Sequence, residues 1–399
     1  MSGVGGQDHL DWNESQATPE DAVFAMLRAA GLDPMDLAMA EEGLTALLAS
    51  LAEETSLSPA GRSNAFNQLR KRIEAAGQVA ADRRRHPAIA DVKITRPLVI
   101  TGLPRSGTTI LHSILAQDPD TRSPLSWEIA RPSPPPEAAT HHTDPRIEDW
   151  VRANLSPGSS SGRADPEFRK KHLTGAQLPE ECGQIIGATL RGTEMWARYR
   201  VASYVAWWLE AEHTWDYQVH RRWLQHFQWR NPRTRWALKW PNHIFHLGDL
   251  LKVYPDACIV QLHRDPREVI SSISSLIRTI RSSGFSTLDT EALGREMLDL
   301  WATGATRSIE FRLKHPGVKV ADVSYRRLLE TPIEAIQDIY AAFEIPLTNL
   351  AEGRMQTFLK DTPQNAHGEH RHSLGDYGLC EQAVSERMHD YCDRFAAYH

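Results

Sequence analysis

The sequence predicts an α/β protein with a doubly wound parallel β-sheet and a P-loop-like phosphate-binding turn, preceded by a helical N-terminal region. Three observations predict this class. Residues 98–115 have the pattern of a buried strand, a turn framed by glycines and a helix. Short apolar strands then alternate with helical segments as far as residue 343. Residues 19–85 carry apolar side chains at helical spacing.

The N-terminal part divides into a tail and a group of helices. Residues 1–18 are polar and are predicted to form a disordered tail. The sequence Thr-Pro-Glu-Asp at 18–21 is a helix start, with proline at the first helical position and acids in the first turn. We therefore predict a helical N-terminal region over residues 19–90 and an α/β domain over residues 91–399.

Composition limits the classes of function. The net charge of −6 argues against general nucleic-acid binding. The four cysteines have no metal-ligand spacing, which favours free thiols in a reducing compartment. The N-terminus lacks a hydrophobic signal core, and no apolar run approaches the ~18 residues of a membrane span. These features predict a cytoplasmic protein, and they leave its oligomeric state open.

The turn after the first strand carries the strongest signal. Gly102 and Gly107 have the spacing of a Walker-type phosphate loop, whose backbone amides hold an anion at a helix N-terminus. A Walker loop needs lysine after its second glycine, and this chain has Thr108 there. Arg105 is the cation of the turn. The turn is therefore predicted to bind one terminal phosphate-like group through Arg105, Ser106, Gly107, Thr108 and Thr109.

The segments that follow supply the rest of the sheet. A proline-rich passage at 124–136 contains Glu128, and residues 178–230 form aromatic helices with six tryptophans. We interpret these tryptophans as core in preference to the wall of an acceptor pocket. Further strands are predicted at 236–239, 257–263 and 319–323.

Two of these strands end at residues suited to nucleotide binding. Arg264 follows a buried strand directly, and Ser272 lies eight residues later on the predicted next helix. A guanidinium and a hydroxyl from one strand–helix unit suit a second phosphate. Tyr325 follows the last strand and suits a purine ring. The alternatives are an ion pair between Arg264 and Asp265, and a structural role for Ser272.

Taken together, these motifs resemble a known family. Gly-Leu-Pro-Arg-Ser-Gly-Thr-Thr at 102–109 is similar to the 5′-phosphosulfate loop of sulfotransferases that use 3′-phosphoadenosine 5′-phosphosulfate (PAPS). Residues 263–272 resemble their 3′-phosphate motif, and 323–328 resemble the later tyrosine segment near the adenine. Residues 371–377 resemble, more loosely, a family loop that grips the 3′-phosphate, and are predicted to be a surface loop. The resemblance covers roughly residues 90–380 in order.

The resemblance implies a reaction. The sulfuryl group of PAPS would move in line to a hydroxyl, or an amine, of an unidentified acceptor, a small molecule or another hydroxyl-bearing molecule, with release of 3′,5′-ADP. It implies no metal. Arg105 and Lys239 are the candidates for stabilising the negative charge that grows on the departing phosphate.

The general base has two candidates. Glu128 follows Arg105 by 23 residues, close to where tyrosylprotein-type and heparan-type sulfotransferases hold a catalytic Glu. His243 lies near where the cytosolic phenol-type enzymes hold a catalytic His, but its spacing from Lys239 is longer than theirs. Glu128 is favoured over His243 for this reason.

Two other classes of function remain as alternatives. The first is a P-loop nucleotide kinase or NTPase, against which the missing Walker lysine weighs. The second is a non-catalytic nucleotide-binding protein, against which the presence of both Lys239 and Glu128 weighs.

Overall fold

The structure is a computed structural model, which describes residues 18–55, 57–156, 159, 163–166, 168, 173–282, 288–362 and 372–399. The predicted N-terminal tail lies outside these residues except for Thr18. The Thr18 hydroxyl accepts a hydrogen bond from the Asp21 amide at 3.1 Å and so caps the first helix.

Three helices open the described chain: α1 (Pro19–Ala29), α2 (Pro34–Glu54) and α3 (Pro59–Arg85). Each begins at a proline that follows a side-chain N-cap, because proline has no amide hydrogen to leave unpaired in the first turn. Their apolar stripes pack into the same hydrophobic core as the tryptophan-rich helices. The N-terminal helices thus form one wall of the α/β body.

Five parallel strands form one sheet in the order β2-β3-β1-β4-β5, which confirms the predicted class. The strands are β1 (Leu98–Gly102), β2 (Thr121–Arg122), β3 (Arg235–Lys239), β4 (Cys258–His263) and β5 (Val320–Ser324). The two-residue strand β2 was not predicted, because two residues carry no periodicity.

The sheet is covered by helices on both faces. Val99 and Leu238 face the core that contains α2, α3 and the tryptophan-rich helices. Leu98, Ile100 and Val260 face a second core that contains the helices after β1 and β5. Both faces are buried, which explains why the strands are almost continuously apolar.

The remaining helices connect or follow the strands. They are α4 (Thr108–Leu115), α5 (Ser126–Ala130), α6 (Arg146–Leu155), α7 (Cys182–Ile186), α8 (Glu194–Arg198), α9 (Ala202–Glu210), α10 (Thr214–Gln228), α11 (Leu247–Val253), α12 (Pro266–Ser282), α13 (Thr290–Lys314), α14 (Tyr325–Glu330), α15 (Pro332–Ala342), α16 (Asn349–Asp361), α17 (Glu381–Arg387) and α18 (His389–Arg394). Among the described residues, none of these helices is both long and apolar enough to cross a membrane.

Replacing Gly102 by alanine should destabilise the fold. The backbone φ at Gly102 is +133°, and an added Cβ would lie 2.3 Å from the carbonyl oxygen of Leu262 on β4. We expect Gly102→Ala to lower the free energy of unfolding by more than about 2 kcal/mol in urea denaturation. The matched control is Gly353→Ala, an open position inside α16, which should raise stability by up to ~1 kcal/mol. Equal stability of Gly102→Ala and the parent protein would contradict this account.

Candidate active site

The loop between β1 and α4 forms a tight turn at the N-terminus of a helix. Gly107 is the N-cap of α4 at φ +91°, and Arg105 has φ +64°. The Ser106 hydroxyl donates to the carbonyl oxygen of Leu103 at 2.6 Å and closes the turn from inside. The amides at the start of α4 therefore point out of the turn, where the helix N-terminus favours negative charge.

The second predicted anion site lies against this turn. Arg264 follows β4, and its Nη1 donates to the carbonyl oxygen of Arg105 at 2.9 Å. Arg105 Nε donates to the Ser272 hydroxyl at 3.2 Å. The guanidinium carbon of Arg264 lies 4.3 Å from the ring centroid of Tyr325, which follows β5. The structure thus brings together residues from the ends of three neighbouring strands, as the sequence predicted.

The two arginines of this cluster hold like charges close together where access to water is reduced. Arg264 also pairs with the exposed Glu268, 2.6 Å from Nη2. Removal from water, and then the positive charge of Arg264, lower the pKa of Arg105. Two neighbouring guanidinium groups at the mouth of the turn therefore favour an anionic ligand.

Lys239 stands on the opposite side of the turn, at the last position of β3. Its Nζ donates to the Thr109 hydroxyl at 3.3 Å and forms an ion pair with Glu181. The Lys239 side chain is only 2 % exposed. The ammonium group thus lies beside the first turn of α4.

A cavity of about 1480 Å³ opens from the turn. The part of the cavity beside the turn is lined by Arg105, Gly107, Thr108, Thr109, Arg264 and Tyr325. Apolar side chains line another part of its wall: Trp196, Trp223, Ile273, Leu276, Ile277 and Trp301. Two of the six tryptophans between residues 178 and 230 therefore face the cavity.

The structure encloses Glu128 behind the cavity wall, where its neighbour Ile129 and not Glu128 itself lines the cavity. Glu128 is 0 % exposed, forms an ion pair with Arg122, and accepts a hydrogen bond from the Leu125 amide at 3.0 Å. His141 Nε2 lies 2.9 Å from the same carboxylate. Burial acts to raise the pKa of Glu128, but Arg122 and then His141 outweigh it and the pKa is lowered. This enclosed, cation-paired carboxylate does not support the predicted role as base.

His243 is enclosed as well. It is 1 % exposed, and its Nδ1 lies 2.8 Å from the Tyr217 hydroxyl. Burial, and next the neighbouring His220, lower the pKa of His243 well below its usual value. Neither Glu128 nor His243 is among the described residues that line the cavity. The geometry therefore supports neither of the two predicted bases.

Sequence reasoning missed two features of the site. Glu181 and Glu194 line the cavity, although no motif marked them, because their positions depend on how α7 and α8 pack. His372 Nδ1 lies 2.9 Å from the Ser271 hydroxyl, beside Ser272. The loose resemblance of residues 371–377 to a family loop was the signal that could have located this contact.

Fold and site together define a class of transferase. A parallel sheet, a glycine-framed turn after β1 without a Walker lysine, and Arg264 after the adjacent strand are the features on which the resemblance to sulfotransferases rests. Residues 97–349 match the model of the Sulfotransferase family, and the chain belongs to this family. The predicted sulfuryl transfer, rather than the kinase or NTPase alternative, is thereby confirmed.

Two solved structures are similar to the whole fold. Sulfotransferase STF9 from Mycobacterium avium is 29 % identical with a TM-score of 0.85, covering 96 % of this chain and 98 % of its own. Sulfotransferase STF1 from Mycobacterium tuberculosis H37Rv is 28 % identical with a TM-score of 0.78, covering 93 % and 98 %. No curated protein sequence matches the chain significantly.

The enclosure of Glu128 predicts a structural effect of its replacement. In Glu128→Gln, Arg122 keeps its charge in a buried site without its carboxylate partner. We expect the free energy of unfolding to fall by about 3–5 kcal/mol. The control is Glu137→Gln, because the Glu137–Arg230 pair is exposed and worth ~0–1 kcal/mol. Unchanged stability with a ~10²–10⁴-fold loss of turnover would instead support Glu128 as the base.

Proposed function

We propose that the protein transfers a sulfuryl group from PAPS to a hydroxyl, or an amine, of an acceptor with a large apolar part, and releases 3′,5′-ADP. One observation carries the donor assignment: the turn after β1 and Arg264 after β4 are in direct contact through the carbonyl oxygen of Arg105. This arrangement offers two adjoining anion sites, and PAPS carries a 5′-phosphosulfate and a separate 3′-phosphate.

The residues present fit this donor. In the proposal the 5′ group is held by Arg105 and by the backbone amides of Ser106, Gly107, Thr108 and Thr109. The Ser106 hydroxyl is engaged with Leu103, so Ser106 contributes through its amide. A Cβ at Gly107 would lie 2.9 Å from the Tyr325 ring, so glycine keeps space between the turn and that ring. Arg264 and Ser272 would hold the 3′-phosphate, and Tyr325 the adenine.

In this proposal the chemistry rests on positioning and charge. The acceptor oxygen attacks sulfur in line, the bond between sulfur and the 5′-phosphate oxygen breaks, and the phosphate keeps the electron pair. Arg105, Lys239 and the amides of α4 lie where they can stabilise that growing negative charge. By analogy with phosphoryl transfer, fixed cations and amides lower the barrier without forming a bond to the reacting group.

The cavity wall supports the acceptor class. The apolar residues of α12, with Trp196 and Trp301, line the cavity and belong to one hydrophobic cluster. Burial of an apolar acceptor against them would supply binding free energy of about 25 cal/mol per Å². A hydroxyl-bearing aromatic or aliphatic molecule fits this wall better than a sugar does.

We also propose a cytoplasmic location. All four cysteines are unpaired in the structure, as a reducing compartment favours. Measurement of the protein in cell fractions would test it.

Calorimetry with 3′,5′-ADP, ADP and ATP tests the donor. We expect 3′,5′-ADP to bind most tightly, because only it reaches both anion sites. Arg264→Ala should cost about 10–100-fold in affinity for 3′,5′-ADP, the value of a charged hydrogen bond, and should remove the preference over ADP. The control is Arg267→Ala, an exposed arginine in the first turn of α12 that pairs with Asp265. Tighter binding of ATP than of 3′,5′-ADP would favour the NTPase alternative.

Steady-state kinetics with 4-alkylphenols test the acceptor class. Each added methylene that is buried against the apolar wall should lower KM by up to ~4-fold, equivalent to ~0.8 kcal/mol. The KM for PAPS should stay constant along the series, because the donor side is unchanged. A KM for the phenols that is independent of chain length would contradict an apolar acceptor site.

A further inference from the structure

Glu194 at the start of α8 is a cavity carboxylate that the proposed donor site does not use. It lines the cavity, and its side chain is 10 % exposed. Three glycines surround its two oxygens: an added Cβ would lie 2.5 Å from Oε1 at Gly183, and 2.7 Å and 2.4 Å from Oε2 at Gly187 and Gly192. Side chains at these positions would fill the space that the carboxylate occupies.

The carboxylate of Glu194 has unused hydrogen-bonding capacity. It accepts a hydrogen bond from its own backbone amide and none from any other residue that the structure describes. Its ion-pair contact is with Arg72, whose Nη1 lies 3.8 Å from Oε2. Glu128, by contrast, is held by Arg122, His141 and a backbone amide. A buried carboxylate without such partners is costly, and an acceptor hydroxyl that donates to it would reduce this cost.

Glu194 lies between Lys239, which belongs to the proposed donor site, and the apolar wall that is proposed to bind the acceptor. A Cβ added at Gly183 would lie 2.5 Å from Glu194 Oε1 and 2.4 Å from the indole nitrogen of Trp240. Glu194 and Trp240, which directly follows Lys239, thus approach the same glycine. Asn242 Nδ2 donates to the Thr193 hydroxyl at 3.0 Å and ties the start of α8 to the end of β3. Trp196, two residues after Glu194, belongs to the apolar wall.

The protonation of Glu194 suits proton transfer near neutral pH. Burial raises the pKa of Glu194 to about 7; Arg72 opposes this effect, and Glu181 and Glu180 add to it. A base whose pKa lies near the working pH is the most effective. The charged and titratable groups that face Glu194 are Arg72 on α3, Glu180 and Glu181 before α7, Arg198 on α8 and Tyr204 on α9.

We propose that Glu194 is the general base that accepts the proton of the acceptor hydroxyl. This assignment rests on the proposed sulfuryl transfer from PAPS. As the acceptor oxygen forms its bond to sulfur, its proton passes to the Glu194 carboxylate. The bond between sulfur and the 5′-phosphate oxygen breaks, and 3′,5′-ADP leaves with the electron pair. The proton then passes from Glu194 to water.

Two phenols of different acidity test this role. At about pH 8, 4-methylphenol keeps its proton, since alkylphenols have a pKa near 10, whereas 4-nitrophenol is largely ionised and needs no base. We expect Glu194→Gln to lower kcat/KM by ~10²–10⁴-fold with 4-methylphenol and by less than ~10-fold with 4-nitrophenol. In the parent protein kcat/KM with 4-methylphenol should rise through about pH 7, and the variant should lose this rise. If neither phenol is sulfated, the rate of PAPS hydrolysis, with water as the acceptor, is measured instead. This rate should also rise through about pH 7 in the parent protein and should lose the rise in Glu194→Gln.

A binding measurement complements the rates. Calorimetric binding of 4-methylphenol to the complex with 3′,5′-ADP should tighten above about pH 7 in the parent protein, because the phenol donates to the carboxylate, and should not change with pH in Glu194→Gln. The affinity for 3′,5′-ADP should be the same in both proteins. Glu41→Gln is the matched control, since Glu41 also pairs with an arginine, Arg28, but lies outside the cavity.

The possible failures are distinguishable. Equal losses with both phenols, or a retained rise through pH 7 in Glu194→Gln, would overturn the role of Glu194 as a base. If the parent protein does not bind 3′,5′-ADP, the donor proposal fails instead. If Glu194→Gln does not fold, Glu194→Asp replaces it: this variant should keep the pH dependence at a reduced rate, and an unchanged rate would contradict the assignment.

Discussion

The close approach of β1 to β4 at Gly102 is the constraint on which the site depends. Gly102 pairs in register with Leu262, and the carbonyl oxygen of Leu262 occupies the space of the missing side chain. Because the two strands stay paired to this point, the chain leaves both of them at the same edge of the sheet. Arg264, two residues beyond Leu262, therefore reaches the carbonyl oxygen of Arg105. Both anion-binding groups follow from one backbone contact.

The cations of the site differ in how readily their partners can be replaced. Glu268, which pairs with Arg264, is 58 % exposed, and an ion pair with so exposed a partner stabilises by only ~0.2–1 kcal/mol. A phosphate that takes its place gains a charged hydrogen bond of about 1.5–3 kcal/mol. The Arg122–Glu128 pair is enclosed on all sides, so no ligand can compete for it. Exposure of the partner thus distinguishes an arginine whose partner a ligand can displace from a structural one.

The sequence predicted which side chains meet at the ends of the strands, but not which side chains line the rest of the cavity, for a physical reason. Arg105, Arg264 and Tyr325 each follow a strand directly, and in a parallel sheet the strand ends meet at one edge. Local patterns are therefore sufficient to bring them together. The environment of Glu128 depends on His141, which approaches through an irregular segment. The position of Glu194 depends in the same way on three glycines that lie in α7 and in the segment between α7 and α8. Such contacts between irregular segments leave no periodic signal.

Glu128 and Glu194 illustrate why burial alone does not identify a base. Both carboxylates are removed from water, and burial acts on both to raise the pKa. Arg122 and His141 reverse that effect at Glu128, whereas the more distant Arg72 only weakens it at Glu194. A lowered pKa makes Glu128 a weak proton acceptor that stabilises the fold. A raised pKa, in a carboxylate that lines the cavity, is what the proposed role of Glu194 as proton acceptor requires. The chemical role is set by the nearest cation, and its distance is a property of the packing.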